Sequence, residues 1–368
     1  MDQYYFYTEG LTVGYHGVPL VKEIGIGLKR GEIVTLIGPN GAGKTTILKS
    51  IIRQLEPVGG AVYLDGRNIK EFPGRDLSKA MSVVLTERTR PELMTCEDVV
   101  AAGRYPYTGR FGVLSGEDKR IVRESMELVH VRELSDQDFS TASDGQKQRV
   151  MLARAICQQP EMIVLDEPTS FLDIKYKLEF LSVLQKLART GRLAVIMSLH
   201  ELDLAERISD KVVCIKGDKV DRFGSPREVF TPGYIRELFD IGSGSYDEET
   251  GCLELETPKG EPEVFVIAGN GSGAHTFRKL QRAGIPFAAG ILWENDLDYP
   301  AARALAAEVV SESAFCPIST EHVKRAEELI SKCRKVVCTV DLHRPGEFAD
   351  ALRGLWEYAK STGKAGTV

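Results

Sequence analysis

Apolar and polar positions alternate along residues 5–38, interrupted by Gly10, Gly14, Gly17 and Gly25, and this period of two predicts an antiparallel β region. It leads into Glu32–Ile37, an apolar run that reads as a buried strand, with Thr45–Gln54 as the helix after it. From about Thr95 to Val131 the spacing turns helical, and the polar run Ser115–Arg120 opens a helix within that insertion. Compact apolar runs at Met162–Leu165, Leu193–Ser198 and Lys211–Ile215 then alternate with helical stretches. That cadence predicts a mostly parallel sheet joined by crossover helices.

Residues 242–251 read as a loop into a small hairpin, and Thr257–Pro262 as an interdomain linker. A fresh β/α series follows: strand Val264–Ala268, helix Ala274–Ala283, strand Pro286–Leu292, helix Pro300–Glu308, helix Thr320–Cys333, strand Lys335–Val340 and helix Gly346–Lys360. The expected organisation is a first domain over 1–258, with a helical subdomain over about 90–150, and a smaller Rossmann-like α/β domain over 263–368. Length agrees, because 368 residues exceed what one hydrophobic core usually organises.

An apolar fraction of 43% with 27% charged residues describes an ordinary soluble globular protein. A net charge of −6 argues against a nucleic-acid wrapper and against general adhesion to anionic lipid. No run approaches the ~18–20 apolar residues of a membrane-spanning helix, and the N-terminus lacks a signal-peptide pattern, so a cytoplasmic location is expected. Seven scattered cysteines without a C-x-x-C pair read as reduced packing thiols.

Candidate chemistry begins with Gly38-Pro39-Asn40-Gly41-Ala42-Gly43-Lys44-Thr45, which satisfies every fixed position of the phosphate loop between a strand and a helix. The glycines let successive N–H groups face phosphates, Lys44 supplies charge for the β- and γ-phosphates, and Thr45 a hydroxyl for Mg²⁺; Thr46 follows in the same helix start. The loop leaves kinase, GTPase, helicase and transport motor open.

Met162–Leu165 ends in Asp166 and Glu167. Alone this is a strand with an acidic cap; with the phosphate loop, Asp166 is placed to fix Mg²⁺ and Glu167 to orient and deprotonate water, a second carboxylate that a kinase has no use for. Ala142-Ser143-Asp144-Gly145-Gln146 opens a helix running to Cys157, with Ser143 or Asp144 as its cap. Ser143, the Gly145 amide and the helix dipole could also face a γ-phosphate.

These residues resemble the ATP-binding-cassette (ABC) ATPases, whose signature is Leu-Ser-Gly-Gly-Gln; here Ser143, Gly145 and Gln146 match, while Ala142 and Asp144 depart. The resemblance covers about residues 5–257 and implies a P-loop NTPase fold of ABC type: a mixed α/β core sheet, an antiparallel β subdomain and a helical subdomain. It implies that Tyr15 stacks on adenine, that Ser170–Asp173 crosses to the partner subunit with Asp173 at the nucleotide, and that His200 contacts the γ-phosphate. Thr86 stands where the family usually carries a glutamine, beside Glu87; it is kept as a metal-site candidate, and atypical turnover or coupling is expected there.

One phosphate loop and one signature per chain imply a homodimer that sandwiches two ATP molecules with Mg²⁺. Gly103-Arg104-Tyr105-Pro106-Tyr107 looks like a segment of the ATPases that serve metal-chelate importers for iron-siderophore, haem or cobalamin. That resemblance implies a permease dimer as partner, a substrate-binding protein reached through it, and a peripheral position on the inner face of the cell membrane. The alternative is a soluble ABC ATPase acting on ribosomes or DNA, whose double cassettes or heptad insertions are missing here. In the second domain, Val264–Gly273 is a strand entering a glycine-rich turn before a helix, a layout that either packs closely or receives a small ligand near Glu294, Asn295 and Asp296. No nucleophile–base pair emerges there, so a regulatory or dimerising role is expected.

Overall fold

The computed structural model describes residues 4–85, 93–109, 112–191, 193–248, 250–342 and 347–367. Packing divides the chain into two compact units, 1–234 and 235–368, a division that falls earlier than the 257–262 stretch read as a linker.

In the first unit the alternating N-terminal positions form β1 (Phe6–Tyr15), β2 (Val18–Ile24) and the short β3 (Gly27–Leu28), and the apolar run before the phosphate loop is β4 (Ile33–Ile37). Beyond α1 (Lys44–Ile51) come β5 (Gly59–Leu64), β6 (Arg67–Asn68), α2 (Gly74–Ala80) and β7 (Met81–Val84). The helical insertion contributes α3 (Cys96–Ala101), α4 (Gly116–Leu128) and α5 (Asp144–Cys157). The chain continues through β8 (Met162–Asp166), α6 (Ile174–Gly191), β9 (Ala194–Ser198), α7 (Leu202–Ile208), the hairpin β10 (Lys211–Lys216) and β11 (Lys219–Gly224), and α8 (Pro226–Val229).

These strands join one mixed sheet in the order β6-β5-β1-β2-β11-β10-β4-β9-β8-β7, with β3 on β1. All five residues of β4, of β8 and of β9 are buried, as expected of parallel strands covered on both faces. Their parallel register brings the carboxyl ends together: Leu36 stands opposite Ser198, and Ser198 opposite Asp166. That edge carries the candidate chemistry.

The helical insertion is pinned by Arg104, whose Nε donates to Asp118 Oδ1 at 2.8 Å while the other side of the guanidinium reaches the Cys157 carbonyl at 2.8 Å and Gln159 Oε1 at 3.0 Å. Hydrogen bonds from the Ser115 hydroxyl and amide, then from Arg104, hold the Asp118 carboxyl below its ordinary range. Gly103 is required there, because a Cβ would sit 2.3 Å from the Arg154 carbonyl oxygen.

The short helix α9 (Tyr234–Leu238) spans the division. The second unit then has the hairpin β12 (Ser245–Asp247) and β13 (Cys252–Glu254), followed by β14 (Val264–Ile267), α10 (Ala274–Arg282), β15 (Phe287–Trp293), α11 (Tyr299–Leu305), β16 (Glu308–Glu312), α12 (Thr320–Lys332), β17 (Lys335–Cys338), α13 (Glu347–Ser361) and β18 (Ala365–Gly366). The larger sheet is wholly parallel, ordered β16-β15-β14-β17-β18. Alternation along β14 sends Val264 and Val266 to a core shared with Phe277, Leu280 and Leu305, and Phe265 and Ile267 to one shared with Leu329, Ile330 and Leu355. Helices therefore cover both faces, the doubly wound arrangement.

One expectation is corrected here. The helix expected over Pro300–Glu308 ends at Leu305, and β16, which the sequence did not announce, follows it. Glu-Val-Val-Ser-Glu is a short edge strand whose polar positions hide its period; Glu308 accepts from Arg325 Nε at 2.9 Å. At the end of β16, Glu312 accepts from the Ser313 and Ser319 amides at 3.1 and 2.9 Å, and lies 2.8 Å from His322 Nδ1. Those amides and the imidazole bring its carboxyl from 4.5 to about 2. A depressed carboxylate stabilises the fold in full above its unfolded value and loses that contribution as the pH falls through its folded one. The stability difference between wild type and Glu312→Gln, followed by chemical denaturation, is expected to be constant at neutral pH and to shrink below about 4.5.

Candidate nucleotide site

The loop between β4 and α1 takes its shape from glycine. Gly38, Gly41 and Gly43 have φ of 150°, 81° and 96°. A Cβ on Gly38 would meet the Ile215 carbonyl oxygen at 2.5 Å, and one on Gly43 would meet Val21 Cγ2 at 2.6 Å. Other residues would force the loop away from its neighbours. The Lys44 ammonium lies back across this curl, donating to the carbonyls of Gly38 at 2.7 Å and Pro39 at 3.0 Å. Burial pulls its pKa down, against the opposing pull of the Glu167 and Asp166 carboxylates.

A chain of direct contacts runs outward from α1. Thr45 Oγ1 donates to Asp166 Oδ2 at 2.9 Å, and Ser198 Oγ donates to Asp166 Oδ1 at 2.7 Å. The same Ser198 oxygen accepts the Glu167 amide at 2.9 Å, and Glu167 Oε1 lies 2.6 Å from His200 Nε2. Glu167 sits at φ 48°, left-handed backbone that a non-glycine residue adopts at a cost, and such strain concentrates at working sites. Its carboxylate is only partly covered, as is His200, while Asp166 is buried. The result is a pair of adjacent carboxylates, Asp166 buried and Glu167 partly open to solvent, beside the glycine-shaped loop.

Phosphate-loop, strand-end and histidine candidates are therefore brought together. Tyr15 ends β1 half exposed, with its hydroxyl 3.4 Å from Thr46 Oγ1. Ser143 caps α5: its Oγ accepts the Gln146 amide at 3.3 Å, and Gln146 Oε1 accepts the Ser143 amide at 2.8 Å. Asp173 Oδ1 accepts from the Tyr176 amide at 3.0 Å, at the start of α6. The two segments touch, because a Cβ on Gly145 would lie 3.2 Å from the Phe171 carbonyl oxygen. Thr86 and Glu87 lie outside the described residues.

Sequence reasoning missed Ser198, the residue that ties Asp166 to the Glu167 backbone. Its signal is positional: it closes the strand next to the one Asp166 closes. Hard oxygen donors at Thr45 and Asp166 fit a hydrated Mg²⁺, which prefers one or two protein oxygens with the rest from water and phosphate.

In the second unit, amides of the glycine-rich turn after β14 are taken by the protein's own carboxylates. Asp298 is fully buried and its carboxylate accepts from the Gly273 and Ala274 amides at 2.9 and 3.0 Å, while Asp296 accepts from the Asn270 amide at 2.8 Å. With these amides taken, the turn itself fits the close-packing reading, and the small-ligand reading near Glu294, Asn295 and Asp296 rests on the cavity beside it. Close packing explains Gly273, where a Cβ would stand 2.5 Å from Ala268 Cβ.

Comparison with known proteins fits this geometry. The ABC transporter family matches residues 21–170, and a family described as MJ0874 matches residues 287–365. An uncharacterised ABC transporter ATP-binding protein, MJ0873 of Methanocaldococcus jannaschii, is 46% identical over 274 residues, covering 74% of this chain and 94% of the relative. The iron(3+)-hydroxamate import ATP-binding protein FhuC of Bacillus subtilis is 35% identical over 264 residues, covering 71% of this chain and 98% of the relative. Among solved structures, the dimeric post-hydrolysis state of the ATP-binding cassette MJ0796 bound to ADP and Pi aligns with a TM-score of 0.54 at 25% identity, covering 60% of this chain and 99% of that one.

Proposed function

Since this chain belongs to the family of ABC transporter ATP-binding proteins, we propose that it hydrolyses ATP as a homodimer to drive import of a metal chelate through a membrane permease. The observation that carries the hydrolytic part is the contact chain Thr45–Asp166–Ser198–Glu167–His200 beside the glycine-shaped loop. Loop amides and Lys44 bind the phosphates, Glu167 takes a proton from the attacking water, and His200 holds the Glu167 carboxylate and faces the γ-phosphate. Tyr15 stacks on the adenine. Thr45 and Asp166 would hold Mg²⁺, with Thr86 as a further candidate, and the ion when bound neutralises charge on the β- and γ-phosphates.

Pairing is supported by the surface at the start of α5. Gly145 meets Phe171, which is 45% exposed on the segment that the resemblance sends to the opposite subunit, and Ile174 and Leu178 of α6, just beyond that segment, are 78% and 55% exposed. Ser143, Gly145, Gln146 and Asp173 would then complete the partner's site, and ATP would close the dimer by bridging them. Among the described residues no helix is long and apolar enough to cross a membrane, so membrane attachment in this reading comes through the permease. Tyr105, 78% exposed on the helical insertion, belongs to the segment that resembles importer ATPases. A substrate-binding protein would act on the far side of the permease, and residues 263–368 would modulate the motor rather than perform catalysis.

Purifying tagged chain from detergent-solubilised membranes of its source cells tests the assignment. The expected result is an integral-membrane permease in equal stoichiometry, with ATPase activity in the complex. Recovery of ribosomes or duplex DNA in its place would support the soluble alternative and overturn transport.

A further inference from the structure

Open α/β sheets bind ligands beyond the carboxyl ends of their strands. In the second unit that edge holds a cavity of about 350 Å³ lined by Asn270, Trp293, Asn295, Asp296, Leu297 and Phe315, within the size range of small-molecule sites. The residues come from the end of β15 and from the loops that follow β14, β15 and β16, so three consecutive crossovers converge on it.

The walls are held in place. Asp296 accepts the Asn270 amide at 2.8 Å and the Asp298 amide at 2.8 Å, tying the first loop to the second. Trp293 Nε1 donates to the Cys316 carbonyl at 2.7 Å, tying the second to the third, and Glu312 gathers the amides on either side of Phe315. Within this braced frame Phe315 is 87% exposed at φ 62°, and Leu297 is 77% exposed. A phenylalanine in left-handed backbone with its ring in water is disfavoured twice over, by sterics and by hydration.

The chemistry of the walls selects the ligand. Phosphates are disfavoured because two carboxylates already occupy the loop amides, and the lining contains no lysine or arginine. Trp293 and Phe315 offer aromatic surface to a flat ring, and the Asn270 and Asn295 side-chain amides offer paired donors and acceptors to its edge. We propose that this cavity binds an uncharged planar heteroaromatic molecule of the nucleobase class, taken as the free base or nucleoside, at a site separate from the ATP site. Flat rings stack on aromatic side chains irrespective of base identity, and loss of one stacking partner weakens binding about tenfold.

The test uses the full-length chain with its cassette site kept filled by saturating Mg·ADP, titrated calorimetrically with adenosine, with guanosine and with AMP. Saturable binding of either nucleoside, one per chain and tighter than AMP, is expected. Phe315→Gly should weaken it about tenfold while the melting temperature stays level or rises, because glycine relieves the left-handed backbone. The proposal is overturned if neither nucleoside binds, if the Phe315→Gly chain binds them as well as wild type, or if AMP binds at least as tightly as adenosine.

Discussion

Glu167→Gln is expected to stop ATP turnover while leaving ATP binding close to wild type. The glutamine keeps the shape of the side chain and an oxygen within reach of the Ser170 hydroxyl, but it cannot accept a proton at the position 2.6 Å from His200 Nε2. A positioned general base contributes about 10²- to 10⁴-fold to such a step, so kcat should fall by that factor with little change in nucleotide affinity. In the proposed reading, binding would rest on other groups, the loop amides and the Lys44 ammonium that lies across the loop. Phosphate release and equilibrium ATP binding measured on the same preparation separate the two quantities. A variant that hydrolyses ATP within threefold of wild type would remove Glu167 from the role of base. With turnover blocked, ATP should also hold the chain as a dimer in gel filtration, whereas ADP should not.

The phosphate loop was legible in the sequence because its requirements are local: glycines where backbone must approach neighbours, then lysine and threonine at the start of a helix. Asp166 and Glu167 were legible because they end an apolar strand. The function of Ser198 was not, since a serine closing a strand means nothing until register sets it opposite Asp166. At the glycine-rich turn Gly269–Gly273 the sequence left close packing and a small ligand both open, because nothing local shows that Asp296 and Asp298, far along the chain, take the amides of Asn270, Gly273 and Ala274. β16 was hidden because an edge strand bearing Glu308, Ser311 and Glu312 carries little hydrophobic period. Local geometry can be read along the chain, and contacts between strand ends cannot.

Ser198→Ala is the corresponding test of what register contributes. Ser198 is fully buried, and its hydroxyl serves two partners, donating to Asp166 Oδ1 at 2.7 Å and accepting the Glu167 amide at 2.9 Å. Alanine leaves a backbone N–H and one carboxylate oxygen without that partner, at about 1–3 kcal/mol for each buried group. For a unit of this size each kcal/mol corresponds to roughly 2–4 °C, so a lower melting temperature is expected. Loss of the amide contact also frees Glu167 from one restraint on its left-handed backbone at φ 48°. Its carboxylate should therefore spend less time against His200, and kcat should fall at least about tenfold, with a smaller change in KM, since misplacing a catalytic group is costly. A fall in melting temperature with kcat unchanged would make Ser198 a packing residue alone. A fall in kcat measured well below the melting temperature makes it the residue that positions the base.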